Sequence, residues 1–396
     1  MIMGLELSQL AKGLGGSAIR EMFNEAQKMT DTISFTVGEP DFITPQPIIE
    51  EACRRFEEGL THYTPNSGVA ELRKAIAKYH RDRGELDPDP DKNIMVSCGA
   101  TEAIQMALFT LADPGDEVII PTPAWPNYFG QIGMCGARLV EVPTREENGF
   151  AADPEDLRAA ITDKTKVIIL NSPCNPTGAV IDKARYDAII DVLRDRDIFI
   201  IADEVYSRLI YTDSYTSITG YKDILDRVVY INGFSKMFAM TGWRLGYAIA
   251  REDIIRNMTK LHENGASCLP APTQLAAAYG LVTCLDKIED MRTSYLRRRD
   301  LICSLLNEIP GFSVRTPEGA FYAFVNVKPV LAAAGLTSKE LCMEILRNTG
   351  CVTVPGSGFG ECGEGFIRIT YATSDENIRE GMKRIKEYIS GLGLAL

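Results

Sequence analysis

The chain is predicted to be an α/β protein, a three-layer α/β/α unit built on a mostly parallel sheet and followed by a smaller region with a sheet of its own. Three observations lead there. Apolar runs without alternation, at 167–170, 198–202 and 228–231, suit strands buried on both faces. They alternate with helical stretches such as Lys183–Arg194, the order expected of a parallel sheet covered on both sides. Beyond Leu281 the character changes to a long charged helical stretch and then short strand-like segments. A chain of 396 residues also exceeds one ordinary core, so two folded units are expected.

Taken in order, Asn93–Cys98 reads as a strand, and Gly99-Ala100-Thr101-Glu102 opens a helix running to Leu111. The turn Asp113-Pro114-Gly115-Asp116 leads into the strand Glu117–Ile120. Val167–Leu170, Ile198–Ala202 and Val228–Ile231 are buried strands, and Trp243–Ala250 is one more, antiparallel and at an edge. Asp286–Glu308 is a helix stopped by Pro310-Gly311. Ser313–Val327, Cys351–Pro355 and Phe366–Thr370 are strands of the second sheet, flanked by helices near Lys339–Asn348 and Glu376–Ser390.

Composition narrows the function classes. With 42 basic and 54 acidic residues the net charge is −12, and no Lys/Arg-rich stripe stands out to grip a phosphodiester backbone, which argues against nucleic-acid binding. No apolar stretch approaches membrane-spanning length, and Met1–Arg20 lacks the pattern of a secretory leader, so a cytoplasmic location is expected. The ten cysteines contain no C-x-x-C and read as reduced thiols. Cys174 stands out only for its place in a proline-rich loop. His62, His80 and His262 have no ligand-spaced partners, so no metal site is expected.

Polar residues cluster where the buried strands stop. Asn171-Ser172-Pro173-Cys174-Asn175-Pro176-Thr177-Gly178 follows the first run, Asp203-Glu204-Val205-Tyr206 the second, and Asn232-Gly233-Phe234-Ser235-Lys236 the third, with Arg244 eight positions on. Strand ends of α/β sheets are where ligands collect. A lysine there can lose its proton and form a Schiff base with a carbonyl, and an arginine fork suits phosphate. The helix start after Gly99 adds free backbone N–H groups and a positive dipole end, a natural phosphate seat. Asp203 needs a partner if it is buried. Each segment alone could be a surface ion pair, a turn or a helix cap; three adjacent strand ends point to one composite site.

N-P-T-G, D-E-V-Y, G-F-S-K and G-W-R-L-G in this order, with Val37-Gly38-Glu39-Pro40-Asp41 before them and Phe366-Ile367-Arg368-Ile369 after, resemble the class I aminotransferases. These are pyridoxal phosphate (PLP) enzymes of the aspartate aminotransferase fold, called fold type I. The resemblance covers nearly the whole chain and implies a large PLP-binding domain at 46–285 with a discontinuous small α+β domain from 1–45 and 286–396. It implies a reaction that moves an amino group from an α-amino acid to a 2-oxo acid in two half-reactions through a PLP Schiff base. Lys236 would tether the cofactor and carry protons. Asp203 would face the pyridine nitrogen, Tyr206 and Asn175 the ring oxygen, and Trp125 the ring face. Gly99, Ala100, Thr101, Ser235 and Arg244 would bind the phosphate, with Tyr63 of a neighbouring subunit, which makes a homodimer the expected assembly. Arg368 would pair with the substrate α-carboxylate, and Gly38 would let backbone approach the substrate.

Two departures bear on specificity. Gly233 stands where family members often carry a hydroxyl residue, which shifts the phosphate toward Ser235 and backbone. Thr101 stands where some aspartate-preferring relatives have a lysine, and aromatic and apolar residues near Phe35, Trp125, Tyr128 and Phe359 would equally admit alanine, aromatic or other neutral amino acids. A PLP-dependent carbon–sulfur β-lyase and a PLP-binding regulator without turnover remain as alternatives on the same scaffold.

Overall fold

The computed structural model describes residues 6–16 and 18–395. The first five residues, Ser17 and Leu396, which fall within the small-domain expectation and partly within the leader reading, lie outside the described residues. A seven-stranded sheet has the order Ile94–Ser97, Gly246–Ile249, Val228–Gly233, Phe199–Asp203, Thr165–Asn171, Glu117–Thr122, Arg138–Pro143. All neighbours are parallel except Gly246–Ile249, which runs antiparallel to both of its own.

Successive residues of the buried strands serve opposite faces. Ile168 and Leu170 join one apolar cluster, with Ile200, Val228 and residues of the helices Gln46–Glu57, Ala70–Asp82 and Ala271–Thr283. Val167 and Ile169 join the other, with Ile201, Val229 and the helices Gly99–Leu111 and Glu252–Gly265. Both faces are covered, so the strands show no polar alternation.

A second, antiparallel sheet has the order Val354–Pro355, Phe366–Thr370, Tyr322–Asn326, Ser313–Val314. Ile33–Ser34 pairs in parallel with Cys351–Val352, joining an N-terminal segment to the C-terminal part of the chain. The helices Leu285–Leu306, Ser338–Thr349 and Asp375–Gly391 pack on the same apolar cluster.

The structure corrects three elements. Gly246–Ile249 is antiparallel as expected but second from the edge, because Ile94–Ser97 takes the outer place. The stretch 313–327 is not one strand: between Ser313–Val314 and Tyr322–Asn326 the chain passes so close to the 172–178 loop that a Cβ on Gly319 would lie 2.5 Å from Pro173 Cγ. Cys351–Pro355 divides at Thr353, its halves pairing in different sheets.

Candidate active site

Strand register assembles the site. Asn171 lies abreast of Asp203, and Asp203 abreast of Ile231, so the polar segments that end three buried strands open side by side at their carboxyl ends. They meet the N-terminus of the helix Gly99–Leu111 and, from the second sheet, Tyr322 and Arg368, around a cavity of about 600 Å³. Of the sequence-predicted residues, Gly38, Ala100, Thr101, Trp125, Asn175, Asp203, Tyr206, Ser235, Lys236, Arg244 and Arg368 all line it.

Lys236 does not sit in an open turn, as its small neighbours suggest, but in the single helical turn Phe234–Met237. Its ammonium donates to the Gly38 carbonyl and lies 5.7 Å from the ring centroids of both Tyr206 and Phe321. Burial, with help from Arg244 and Arg368, brings it down to about 8, against the pull of Glu39 and Asp203. Such an amine is partly neutral near physiological pH. Asp203 is buried, accepts from the Tyr128 hydroxyl at 2.6 Å and from the Val205 amide at 3.2 Å, and burial raises its carboxyl above the usual range. Glu204 points elsewhere, accepting from Tyr215, Ser217 and the Ile218 amide. It braces the fold.

Arg368 is 1% exposed. Its Nη1 donates to Asn175 Oδ1 at 2.9 Å, its Nη2 to the Thr36 carbonyl, and its Cζ lies over the rings of Tyr322 and Phe359, 4.6 and 4.9 Å from their centroids. No carboxylate among the described residues pairs with it, and its buried Nε has no partner. A guanidinium so placed calls for an anion in the cavity. Arg244 donates to the Thr241 carbonyl at 2.9 Å and reaches the Gly99–Leu111 helix start. Gly99, just behind the cavity wall, makes that approach possible: its φ is +71°, and a Cβ there would lie 2.6 Å from Arg244 Nη2. Trp125 meets Tyr128 edge-on at 5.3 Å.

Tyr63 is not brought in: it is 93% exposed and stands outside this cavity. Phe35 is buried against Gly381 rather than lining the site. Burial pushes the Cys174 thiol up to about 11, the opposite of an activated thiol. Sequence reasoning missed the pairing of Tyr128 with Asp203, the whole of Tyr322, and the N-terminal helix Ala18–Ala26, which brings Ile19, Arg20 and Phe23 to the cavity mouth.

The sequence profile of the family described as "Aminotransferase class I and II" matches residues 30–385. The chain belongs to this family. It is 44% identical to an aspartate aminotransferase of Pyrococcus abyssi, over 94% of this chain and 95% of that protein. It is 39% identical to the aromatic-amino-acid aminotransferase 2 of Thermococcus litoralis, over 97% and 98% of the two. The crystal structure of an aromatic aminotransferase from Pyrococcus horikoshii superposes with a TM-score of 0.88 at 41% identity, covering 94% of this chain and 99% of that one. The chain is accordingly an aminotransferase, and these three relatives are named for aspartate or for aromatic amino acids.

Proposed function

We propose that this aminotransferase exchanges amino groups between α-amino acids and 2-oxo acids with PLP held in the 600 Å³ cavity. The observation that carries the reading is the convergence of Lys236, Asp203 and Arg368 on one cavity, the last with an unpaired Nε. The residues fit the group. A buried carboxylate suits a pyridinium nitrogen, a helix start with Arg244 suits a phosphate, and the cavity is of ligand size. When bound, PLP supplies an electron sink for the carbanion formed at the substrate α-carbon.

The protein supplies the rest. Lys236 Nζ, at about 8, would hold the aldehyde and later take and return the α-proton. Asp203, fixed by Tyr128, would keep the ring nitrogen protonated. Tyr206 and Asn175 would donate to the ring oxygen, and Trp125 would cover the ring face. Gly99, Ala100, Thr101, Ser235 and Arg244 would seat the phosphate. Arg368 would grip the α-carboxylate, and Gly38 would bring backbone close. The Trp125–Tyr128 wall suits neutral or aromatic side chains, and Arg20 also lines the cavity.

The domain division at 46–285 against 1–45 with 286–396 is supported by the pairing of Ile33–Ser34 with Cys351–Val352. The near-complete exposure of Tyr63 supports a homodimer in which this phenol serves the neighbouring cavity. Ten free cysteines support a reducing, cytoplasmic setting. The test is to load the protein with PLP and add amino acids singly. Loss of the cofactor's visible band with release of the matching 2-oxo acid supports the reading. Release of pyruvate with ammonia or sulfide makes the enzyme a lyase, and indifference to every amino acid makes it a binding protein.

A further inference from the structure

Tyr322 belongs to none of the motifs, yet it touches three parts of the site. It is 1% exposed and its hydroxyl lies 2.6 Å from that of Tyr206. Its ring carries the Arg368 guanidinium at 4.6 Å. A Cβ on Gly38 would stand 2.2 Å from the Tyr322 hydroxyl, so that hydroxyl occupies the space any side chain at 38 would need. The Gly38 carbonyl in turn accepts from Lys236. Tyr206 follows a strand of the large sheet, whereas Arg368 and Tyr322 lie on paired strands of the small one. Tyr322 is therefore a direct contact between them.

We infer that Tyr322 is a positioning residue that couples the two ends of the reaction site: its ring restricts the movement of Arg368 and its hydroxyl orders and polarises Tyr206. The inference rests on the placement of PLP beside Tyr206 proposed above. A phenol carries one proton. If Tyr206 gives its proton to the cofactor's ring oxygen, the short contact requires Tyr322 to donate to Tyr206, and a hydroxyl that accepts one hydrogen bond donates the next more strongly. The ring against the guanidinium restricts its movement, and with both Nη groups bonded to Asn175 and Thr36 the unpaired Nε edge is left for a carboxylate.

The two roles separate by substitution in the PLP-loaded enzyme. Tyr322→Phe keeps the ring and removes the hydroxyl. Tyr206 then donates less to the ring oxygen, so the proton on the cofactor's imine nitrogen is held more tightly. The pH midpoint of the bound cofactor's visible band should rise by about half a unit, with kcat down about tenfold and KM nearly unchanged. Tyr322→Leu also removes the ring and should raise KM for every amino acid tested. Gly38→Ala should weaken Lys236 labelling by PLP, and adding Tyr322→Phe should restore part of it, because the ring carbon Cζ lies 3.3 Å from the same Cβ position. A Tyr322→Phe enzyme with the wild-type midpoint overturns the inference, as does a double variant no better than Gly38→Ala. A wild-type protein that forms no visible band with PLP overturns the cofactor reading itself, and this inference with it.

Discussion

Replacing Lys236 by methionine should stabilise the protein in the absence of PLP, even as it abolishes turnover. Burial lowers the amine from 10.5 to about 8, a difference worth about 3.4 kcal/mol for a fully enclosed group. The side chain is only partly buried, and methionine forfeits the hydrogen bond to the Gly38 carbonyl, worth about 1 kcal/mol. The net gain at pH 7 is therefore about 1–2 kcal/mol. Its sign follows from linkage. Below the folded value of about 8 the lysine is charged in both states and the whole penalty is present. Between there and 10.5 the unfolded chain holds a proton that the folded one has released, so wild-type stability rises with pH relative to the variant. The advantage of methionine should shrink across that window and reverse by about 1 kcal/mol above it, where the neutral amine carries no charge penalty and keeps its hydrogen bond to Gly38. Urea unfolding of both PLP-free proteins at pH 7, 8, 9 and 10 measures it, since titrations common to both cancel in the difference. A methionine variant less stable than wild type at pH 7, or a difference independent of pH, refutes the reasoning.

Three further perturbations separate the parts of the site. Arg368→Lys keeps the charge but loses the planar fork. It should cost about 2–4 kcal/mol of transition-state stabilisation, read as a fall of about 30- to 1,000-fold in kcat/KM for amino acids, with little change for amines that lack the carboxylate. Asp203→Asn should leave PLP bound while slowing removal of the α-proton by about a thousandfold, measured in single-turnover experiments with α-deuterated substrate. Gly99→Ala combines a +71° φ with a clash against Arg244. It should weaken PLP affinity about tenfold or more, measured by fluorescence titration, while the Lys236 label still forms at saturating cofactor.

The three strand-end segments were legible because strands buried on both faces are apolar throughout, so the polar segments carrying Asn175, Asp203 and Lys236 stood out where each run stopped. Leu285–Leu306 was legible from its charge and the Pro310-Gly311 stop, and Ser338–Thr349, which the structure shows to start in a capping box of Thr337 and Glu340, from its helical pattern. Sheet order was not: nothing local to Trp243–Ala250 says that Ile94–Ser97 will cover its outer edge. Nor does the Phe234–Met237 turn, four residues long, carry a helical period. The partnership of Tyr128 with Asp203, and Tyr322 altogether, escaped notice because these hydroxyls meet Asp203 and Tyr206 across 75 and 116 residues of chain. No spacing rule encodes such contacts, and a tyrosine among phenylalanines reads simply as core.

The central claim is that Lys236 is the residue that holds the cofactor. Borohydride reduction of the PLP-loaded protein, followed by proteolysis and mass spectrometry, measures this directly. The account predicts a single pyridoxyl group on the peptide containing Gly233-Phe234-Ser235-Lys236, absent from Lys236→Met. A label on another lysine, or none, would contradict it.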